Sequence, residues 1–290
     1  MAPSPRASGF RVVGYLPEYR LDTIDPAISR WATDLIFFGV EPTAAGQVDA
    51  ARLTPAVRAR LGRLRTGQVE RVLACLGGHE CCQGFAEAAP NPTVRRQLAA
   101  ALVTLCRQHG FDGVDLYWDA PADEGQRAAY AALIEEVHRA FAAQGLLVTL
   151  ALRPWQELQA DVLGQVDRIH LMAYDLGTGH STFELAVAGV EECLARGVPA
   201  CKVCLGVPFY GRSVEDAETT MTYADIVRLH QPASSVDEIG GMLLNGPDTL
   251  RRKVHYARQQ GLAGVMAWEL GQDVHGPGSL LETLFTAATE

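Results

Sequence analysis

The chain has 290 residues, of which 48% are hydrophobic, so it can bury a sizeable core as one large α/β domain or two small ones. Its formal net charge of −9 excludes the basic surface with which proteins usually bind nucleic acid. No apolar run reaches the length of a membrane span, and residues 1–9 carry no hydrophobic signal region. We expect neither nucleic acid nor membrane as a partner, and a cytoplasmic location, or secretion if the sequence is a trimmed form.

Short apolar segments typical of strands alternate along the chain with segments of helical periodicity. The predicted strands are residues 10–16, 34–40, 69–76, 111–119, 146–152, 166–174, 202–209 and 262–268. The predicted helices are residues 54–64, 93–109, 125–143, 184–195 and 278–287. Eight strands alternating with helices in a chain of this length predict a single parallel (β/α)8 barrel, the TIM barrel.

A doubly wound open sheet is the alternative architecture. That fold typically has a glycine-rich, phosphate-binding turn after its first strand, whereas this chain has Pro17-Glu18-Tyr19 there. We therefore assign residues 10–290 to one barrel and expect residues 1–9 to form a flexible N-terminal segment. Residues 213–247, with scattered Asp, Glu, Pro and Gly, are predicted to be an elongated loop after the seventh strand.

The predicted fourth strand, residues 111–119, has the most informative pattern. Alternate side chains of a strand share a face, so Asp115, Tyr117 and Asp119 point one way and three apolar side chains point the other. Carboxylates on a buried strand are normally paired or used in a site. A helix cap or a solvated strand end would explain Asp112 or Asp119 singly, but it fits a repeated acidic face poorly.

This stretch resembles the signature of glycoside hydrolase family 18, the chitinase family, which runs Asp-x-x-Asp-x-Asp-x-Glu. Asp112 and Asp115 match the signature. Tyr117 stands where the family has its third Asp, and Asp119 stands where it has the catalytic Glu. The resemblance implies a barrel of the chitinase type, and the two departures concern its reaction.

Five further motifs extend the resemblance over nearly the whole chain. They are Val12-Val13-Gly14-Tyr15, Leu73-Ala74-Cys75-Leu76-Gly77-Gly78, Met172-Ala173-Tyr174-Asp175, Leu205-Gly206-Val207-Pro208-Phe209-Tyr210-Gly211-Arg212 and Gly264-Val265-Met266-Ala267-Trp268-Glu269-Leu270. The second is similar to a Ser-x-Gly-Gly motif, with Cys75 in place of the Ser. Many chitinases carry a small α+β insertion after strand seven, and residues 213–247 look too short for the complete module.

The candidate site residues fall where barrel enzymes place their chemistry, at the carboxyl ends of the strands. Aromatic rings suit the apolar faces of sugars, and carboxylates suit their hydroxyl groups. We therefore expect Tyr15, Tyr210 and Trp268 to bind a sugar substrate.

The resemblance also implies a reaction in which the substrate's own N-acetyl carbonyl is the nucleophile. Asp119 would be the general acid, and Tyr117 replaces the Asp that orients the acetamido group. Tyr174 and Asp175 would hold that group from the other side, and Asp115 belongs to the same acidic row. No cofactor is implied.

The substitutions all weaken this reaction. The side chain of Asp119 is shorter than that of the family's Glu by one methylene, which draws its carboxyl group back from the substrate. A misplacement of about 1 Å can lower the reaction rate ~100-fold. Tyr117 is neutral and cannot balance a developing positive charge, a loss worth roughly 100- to 1,000-fold. Cys75 replaces a hydroxyl that supports the acidic row in the family. We expect little or no hydrolysis.

Three functions remain open on the sequence. The chain is a chitinase-like protein that binds glycans containing N-acetylglucosamine without cleaving them, or a barrel kept as a structural module for a protein partner in an assembly. The third alternative is an active glycosidase that uses Asp119, or an acid such as Glu41, Glu157 or Glu269 on a different sugar.

The chain has seven cysteines, an odd number, and they are scattered without the regular spacing of a disulfide framework. This pattern indicates a reducing compartment. His79-Glu80-Cys81-Cys82 contains metal-ligand residue types. Adjacent cysteines chelate awkwardly, and no partner pair follows at a zinc-site spacing. We therefore expect no metal.

Overall fold

The computed structural model describes residues 9–119 and 121–290. Eight parallel strands form its central sheet: β1 (Arg11–Pro17), β2 (Asp34–Pro42), β3 (Arg71–Gly77), β4 (Gly113–Tyr117), β5 (Leu147–Leu152), β6 (Arg168–Leu171), β7 (Val203–Pro208) and β8 (Gly264–Trp268). Each strand pairs with the next, and β8 pairs with β1. The sheet is therefore closed, and the predicted (β/α)8 barrel is confirmed. Apart from Gly9, the N-terminal segment predicted to be flexible lies outside the described residues.

Helices surround the barrel and return the chain to its amino-terminal end. They are α1 (Pro55–Leu64), α2 (Phe85–Ala88), α3 (Pro92–His109), α4 (Glu124–Ala142), α5 (Ala160–Gln165), α6 (Phe183–Ala195), α7 (Tyr223–His230), α8 (Pro247–Gln259) and α9 (Leu280–Thr289). Local sequence sets the bounds of α3, for example. The Asn91 side chain accepts from the backbone N–H of Thr93, and Gly110 ends the helix at a φ of 72°. Within the described residues, no helix is long and apolar enough to cross a membrane.

The strands divide their side chains between two buried layers. Val114, Leu116 and Trp118 pack outward in the large core between the strands and the helices. Tyr117 belongs to a smaller cluster inside the barrel, with residues of the other strands such as Met266. The alternation predicted for the fourth strand therefore holds, although the strand itself ends at Tyr117 and Asp119 follows it.

The segment after β7 is more ordered than an elongated loop. It contains a small antiparallel sheet, in the spatial order Thr220–Thr222, Tyr210–Ser213, Met242–Leu243 and Glu238–Ile239, together with α7. Strands of two to four residues are too short to give a periodicity in the sequence. This sheet follows the carboxyl end of β7 and forms one wall of the site described next.

Candidate functional site

Asp115 lies inside the barrel at the centre of a hydrogen-bond network. Its Oδ2 accepts from the Tyr15 hydroxyl at 2.5 Å, and its Oδ1 accepts from Thr149 Oγ1 at 2.5 Å. His170 Nδ1 lies 2.9 Å from Oδ1. The carboxyl group is fully buried, so three neighbours rather than water satisfy it. Asp115 therefore acts from beneath the cleft, as an organiser of other side chains.

Tyr15 and His170 complete this buried network. Burial and the charge of Asp115 raise the pKa of Tyr15 well above its usual range, so the phenol remains a donor. His170 Nε2 is buried without a hydrogen-bond partner. A proton on Nδ1 alone fits this arrangement, because it can be donated to Asp115 while no N–H is stranded on the other side.

Asp119 forms an ion pair with Arg153. Arg153 Nε donates to Asp119 Oδ1 at 3.0 Å, and the two side chains are only 20% and 21% exposed. Burial opposes the charge of Arg153, but the hydrogen bond and the charge of Asp119 outweigh it and raise the pKa of the guanidinium. His79 Nδ1 lies 3.8 Å from the second oxygen of Asp119. The carboxylate is thus held between basic side chains.

Asp175 is the second organised carboxylate. The Tyr210 hydroxyl donates to its Oδ2 at 2.7 Å, while His180 Nδ1 and Arg212 Nη1 lie 3.2 and 3.6 Å from Oδ1. Burial favours its neutral form, but the hydrogen bonds from His180 and Tyr210 prevail and lower the pKa of Asp175. The residue has a φ of 58°, in the left-handed region that Asp tolerates better than most residues.

Arg153 and Asp175 border one open cleft of about 370 Å³ at the carboxyl end of the barrel, whereas Asp119 lies behind Arg153 and is not part of the lining. The cleft lining includes Tyr117, Arg153, Tyr174, Asp175, Tyr210, Arg212 and Trp268. Tyr117 is 5% exposed and forms part of the floor, so it does not plug the cleft. Burial, followed by the charge of Asp119, raises the pKa of Tyr117 above its usual range, which keeps the phenol neutral.

The Trp268 side chain supplies the main aromatic surface of the cleft. Its ring centroid lies 5.3 Å from those of Tyr15 and Phe38, which support it from below. Tyr15, which the sequence predicts as a sugar-binding residue, is 1% exposed and lies beneath Trp268. The structure thus brings the predicted site residues together in two tiers, with Tyr15 and Asp115 below and Tyr117, Tyr174, Asp175, Tyr210 and Trp268 at the surface of the cleft.

The family model for glycosyl hydrolases family 18 matches residues 60–273. The chain belongs to this family.

Known chitinases are similar in sequence to this protein over most of its length. "Endochitinase 1" of Metarhizium robertsii is 28% identical, over 73% of this chain and 64% of its own length, so the chain spans less than two thirds of that relative. The crystal structure of the GH18 chitinase ChiB from the chitin utilization locus of Flavobacterium johnsoniae is 28% identical and superposes with a TM-score of 0.87. That match covers 98% of this chain and 95% of ChiB.

The same fold recurs in a chitinase of lower sequence identity. A class V chitinase from Nicotiana tobaccum, solved in complex with NAG4, superposes with a TM-score of 0.83 at 20% identity. It covers 97% of this chain and 99% of the Nicotiana chain, which shows that the barrel is shared.

Arg153, Thr149, His170 and His180 are residues of this family 18 barrel that the sequence did not predict for the site. Arg153 directly follows β5, and its position at a carboxyl strand end is the signal that would have identified it. Thr149 and His170 are polar residues within β5 and β6, and both face the same barrel interior as Asp115. His180 lies in a loop and gives no such signal.

The other acids considered for a glycosidase lie away from the cleft lining. Glu41 pairs with Arg52, and Glu269 accepts from Arg20 Nε at 2.9 Å. Glu157 borders a separate cavity of about 220 Å³. Among residues 9–119 and 121–290, no group of three or more His, Cys, Asp or Glu side chains is arranged to hold a metal ion.

Proposed function

We propose that this family 18 protein binds oligosaccharides containing N-acetylglucosamine in the cleft but hydrolyses them very slowly or not at all. The observation on which this rests is the ion pair between Asp119 and Arg153, at 3.0 Å. Glycoside hydrolysis requires an acid that protonates the leaving oxygen. In this chain the residue at that position is an aspartate whose Oδ1 accepts a hydrogen bond from the Arg153 guanidinium, so another donor already occupies that oxygen of the candidate acid.

Tyr117 weakens the reaction independently of Asp119. The transition state of glycoside hydrolysis develops positive charge on the sugar ring. At the position of the family's third Asp, this chain presents a phenol that burial keeps neutral. Arg153 also borders the cleft, where its charge is paired with that of Asp119. Without an acid at the position of Tyr117, the cleft lacks the negative charge that would stabilise the cationic transition state there.

The capacity to bind sugar is better supported. The cleft retains the aromatic face of Trp268 and the polar groups of Tyr174, Asp175 and Tyr210, and 370 Å³ lies within the usual size range of ligand sites. The Nicotiana relative was solved with NAG4, and a chitinase of the same fold from Cycas revoluta was solved with (GlcNAc)3. Chito-oligosaccharides of three and four residues are therefore the first ligands to test for binding to this protein.

Two measurements on the same preparation test the proposal. Isothermal titration with chitotetraose should give saturable binding, and chromophore release from a chitotriose glycoside should not exceed that of Asp119→Ala. Turnover that Asp119→Ala abolishes would contradict the loss of hydrolysis. Absence of any binding heat for the sugar would contradict the glycan site and leave the barrel as an interaction module.

A further inference from the structure

The amino-terminal end of the barrel, opposite the cleft, collects charged side chains at the first positions of its strands. Arg11, Asp34, Arg71 and Arg168 begin β1, β2, β3 and β6. Asp34 is fully buried; its Oδ1 accepts from Arg168 Nη2 at 2.7 Å, and its Oδ2 lies 3.4 Å from Arg11 Nε. Two guanidinium groups therefore share one carboxylate.

Arg71 is the cation that this network leaves uncompensated. Among the residues that the structure describes, its side chain makes no hydrogen bond or ion pair. Burial and the charge of Arg11 lower the pKa of Arg71, and the charge of Arg168 adds to this effect against the opposing charge of Asp34. Glu70, its neighbour in sequence, accepts from Arg11 at 2.7 Å. A half-buried guanidinium among like charges is stabilised by an added anion.

A cavity of about 550 Å³ lies against these cations. The three arginines and Lys202 border it, and so does one acid, Asp167, whose Oδ2 accepts from the backbone N–H of Val148 at 2.9 Å. The Arg168 side chain is only 8% exposed, and its Nε is buried without a hydrogen-bond partner. Such a buried N–H leaves part of the Arg168 guanidinium without a bound acceptor, so the positive charge on this side of the cavity is incompletely satisfied by the protein.

Apart from Gln165, the rest of the cavity wall is largely apolar. It is formed mainly by Phe10, Leu147, Val166, Leu262 and Ala263. The cavity thus combines guanidinium donors with a hydrophobic surface in a chain whose net charge is −9, so its basic character is not a general property of the protein.

We propose that this cavity is a second binding site, separate from the cleft, for a small organic molecule that bears a phosphate group. The phosphate accepts hydrogen bonds from the guanidinium of Arg71, beside the positive charges of Arg11 and Arg168, and the organic part packs on the apolar wall. A phosphate fits better than a single carboxylate, because its several oxygens can meet more than one of the guanidinium donors of Arg71.

The site is tested by titrating the intact protein with inorganic phosphate and with phenyl phosphate at constant ionic strength. Both should bind, phenyl phosphate more tightly, and both should raise the midpoint of thermal unfolding. Arg71→Gln should weaken both affinities at least about tenfold, the loss typical of a hydrogen bond to a charged group. Because the Arg71 side chain makes no hydrogen bond or ion pair within residues 9–119 and 121–290, this variant should fold normally.

Arg107→Gln is the matched control. This substitution removes the same charge near the same end of the barrel. The Arg107 guanidinium, however, already donates a hydrogen bond to the Gln144 side chain at 2.8 Å. Equal weakening by the two variants, or no binding of either phosphate by the unmodified protein, overturns the site. Equal affinities for the two phosphates overturn the role of the apolar wall. Chitotetraose binding should be unchanged in Arg71→Gln, so this proposal and the glycan site fail separately.

Discussion

Arg153 donates its Nε hydrogen to Oδ1 of Asp119 at 3.0 Å, across the gap between the carboxyl ends of β5 and β4. The pair engages a carboxyl oxygen of Asp119, the residue that we propose at the position of the family's catalytic Glu. It also brings a guanidinium to the lining of the cleft. One contact between two loops therefore changes both the acid and the electrostatic field of the site.

Restoring the family's acids should restore hydrolysis more fully if Arg153 is also removed. We expect the triple variant Tyr117→Asp, Asp119→Glu and Arg153→Met to release chromophore from a chitotriose glycoside. The double variant that keeps Arg153 should be roughly 100-fold slower, because the guanidinium still pairs with the new acid and opposes the cationic transition state. Equal rates for the double and triple variants would show that Arg153 does not suppress the reaction.

Trp268 should dominate the affinity for sugar. Trp268→Ala removes the aromatic surface of the cleft and should weaken chitotetraose binding about 30-fold, as expected for an aromatic anchor worth ~2 kcal/mol. Trp31→Ala is the control, because Trp31 makes a comparable ring contact, with Phe285 at 5.6 Å, and lies outside the cleft lining. A similar loss of affinity in both variants would point to a general effect on folding, which circular dichroism would detect.

The two aspartates should differ sharply in their contribution to stability. Asp115→Asn leaves the buried donors Tyr15 and Thr149 facing an amide, and it should lower the free energy of unfolding by about 3 kcal/mol. Asp119→Asn breaks a partly exposed pair and should cost only ~0–1 kcal/mol. Urea denaturation followed by tryptophan fluorescence measures both. Similar values for the two variants would contradict the assignment of Asp115 as the buried organiser.

Lys253 should give the folded protein a specific dependence on pH. It is completely buried in α8, and its Nζ donates to Ser181 O, Ser181 Oγ and Asn245 Oδ1 at 2.7, 2.8 and 2.7 Å. Burial lowers the pKa of Lys253 from 10.5 to about 7. Between these two values the unfolded chain binds more protons than the folded one, so the contribution of Lys253 to stability rises with pH.

The measurement is the difference in free energy of unfolding between the unmodified protein and Lys253→Met. Across pH 7 to 10 the unmodified protein should gain up to about 1.4 kcal/mol per pH unit relative to the variant. Taking the difference cancels the titration of tyrosines and cysteines common to both proteins. A constant difference over this range would mean that Lys253 keeps its ordinary pKa in the folded state.

The barrel was predictable because each of its strands can be recognised from a short stretch of sequence. Each wall strand is a short apolar run bounded by turns, and the faces of β4 follow from the alternation at Val114, Asp115 and Leu116. The contact between Asp119 and Arg153 was not predictable, because it joins residues 34 positions apart through long side chains. The sequence placed a helix after the 213–247 segment but gave no bounds for it, although Leu250, Val254 and Ala257 follow helical spacing along the buried face of α8.

The small sheet beside the cleft is tied directly to the barrel wall. Only Phe209, which is fully buried, separates β7 from the strand Tyr210–Ser213. Its backbone N–H donates to Trp268 O at 2.8 Å, and its carbonyl accepts from Tyr223 N at 3.0 Å. Tyr210 and Arg212 are therefore held in place before any ligand arrives. A sugar that enters the cleft meets a preformed surface and spends little of its interaction free energy on ordering the protein.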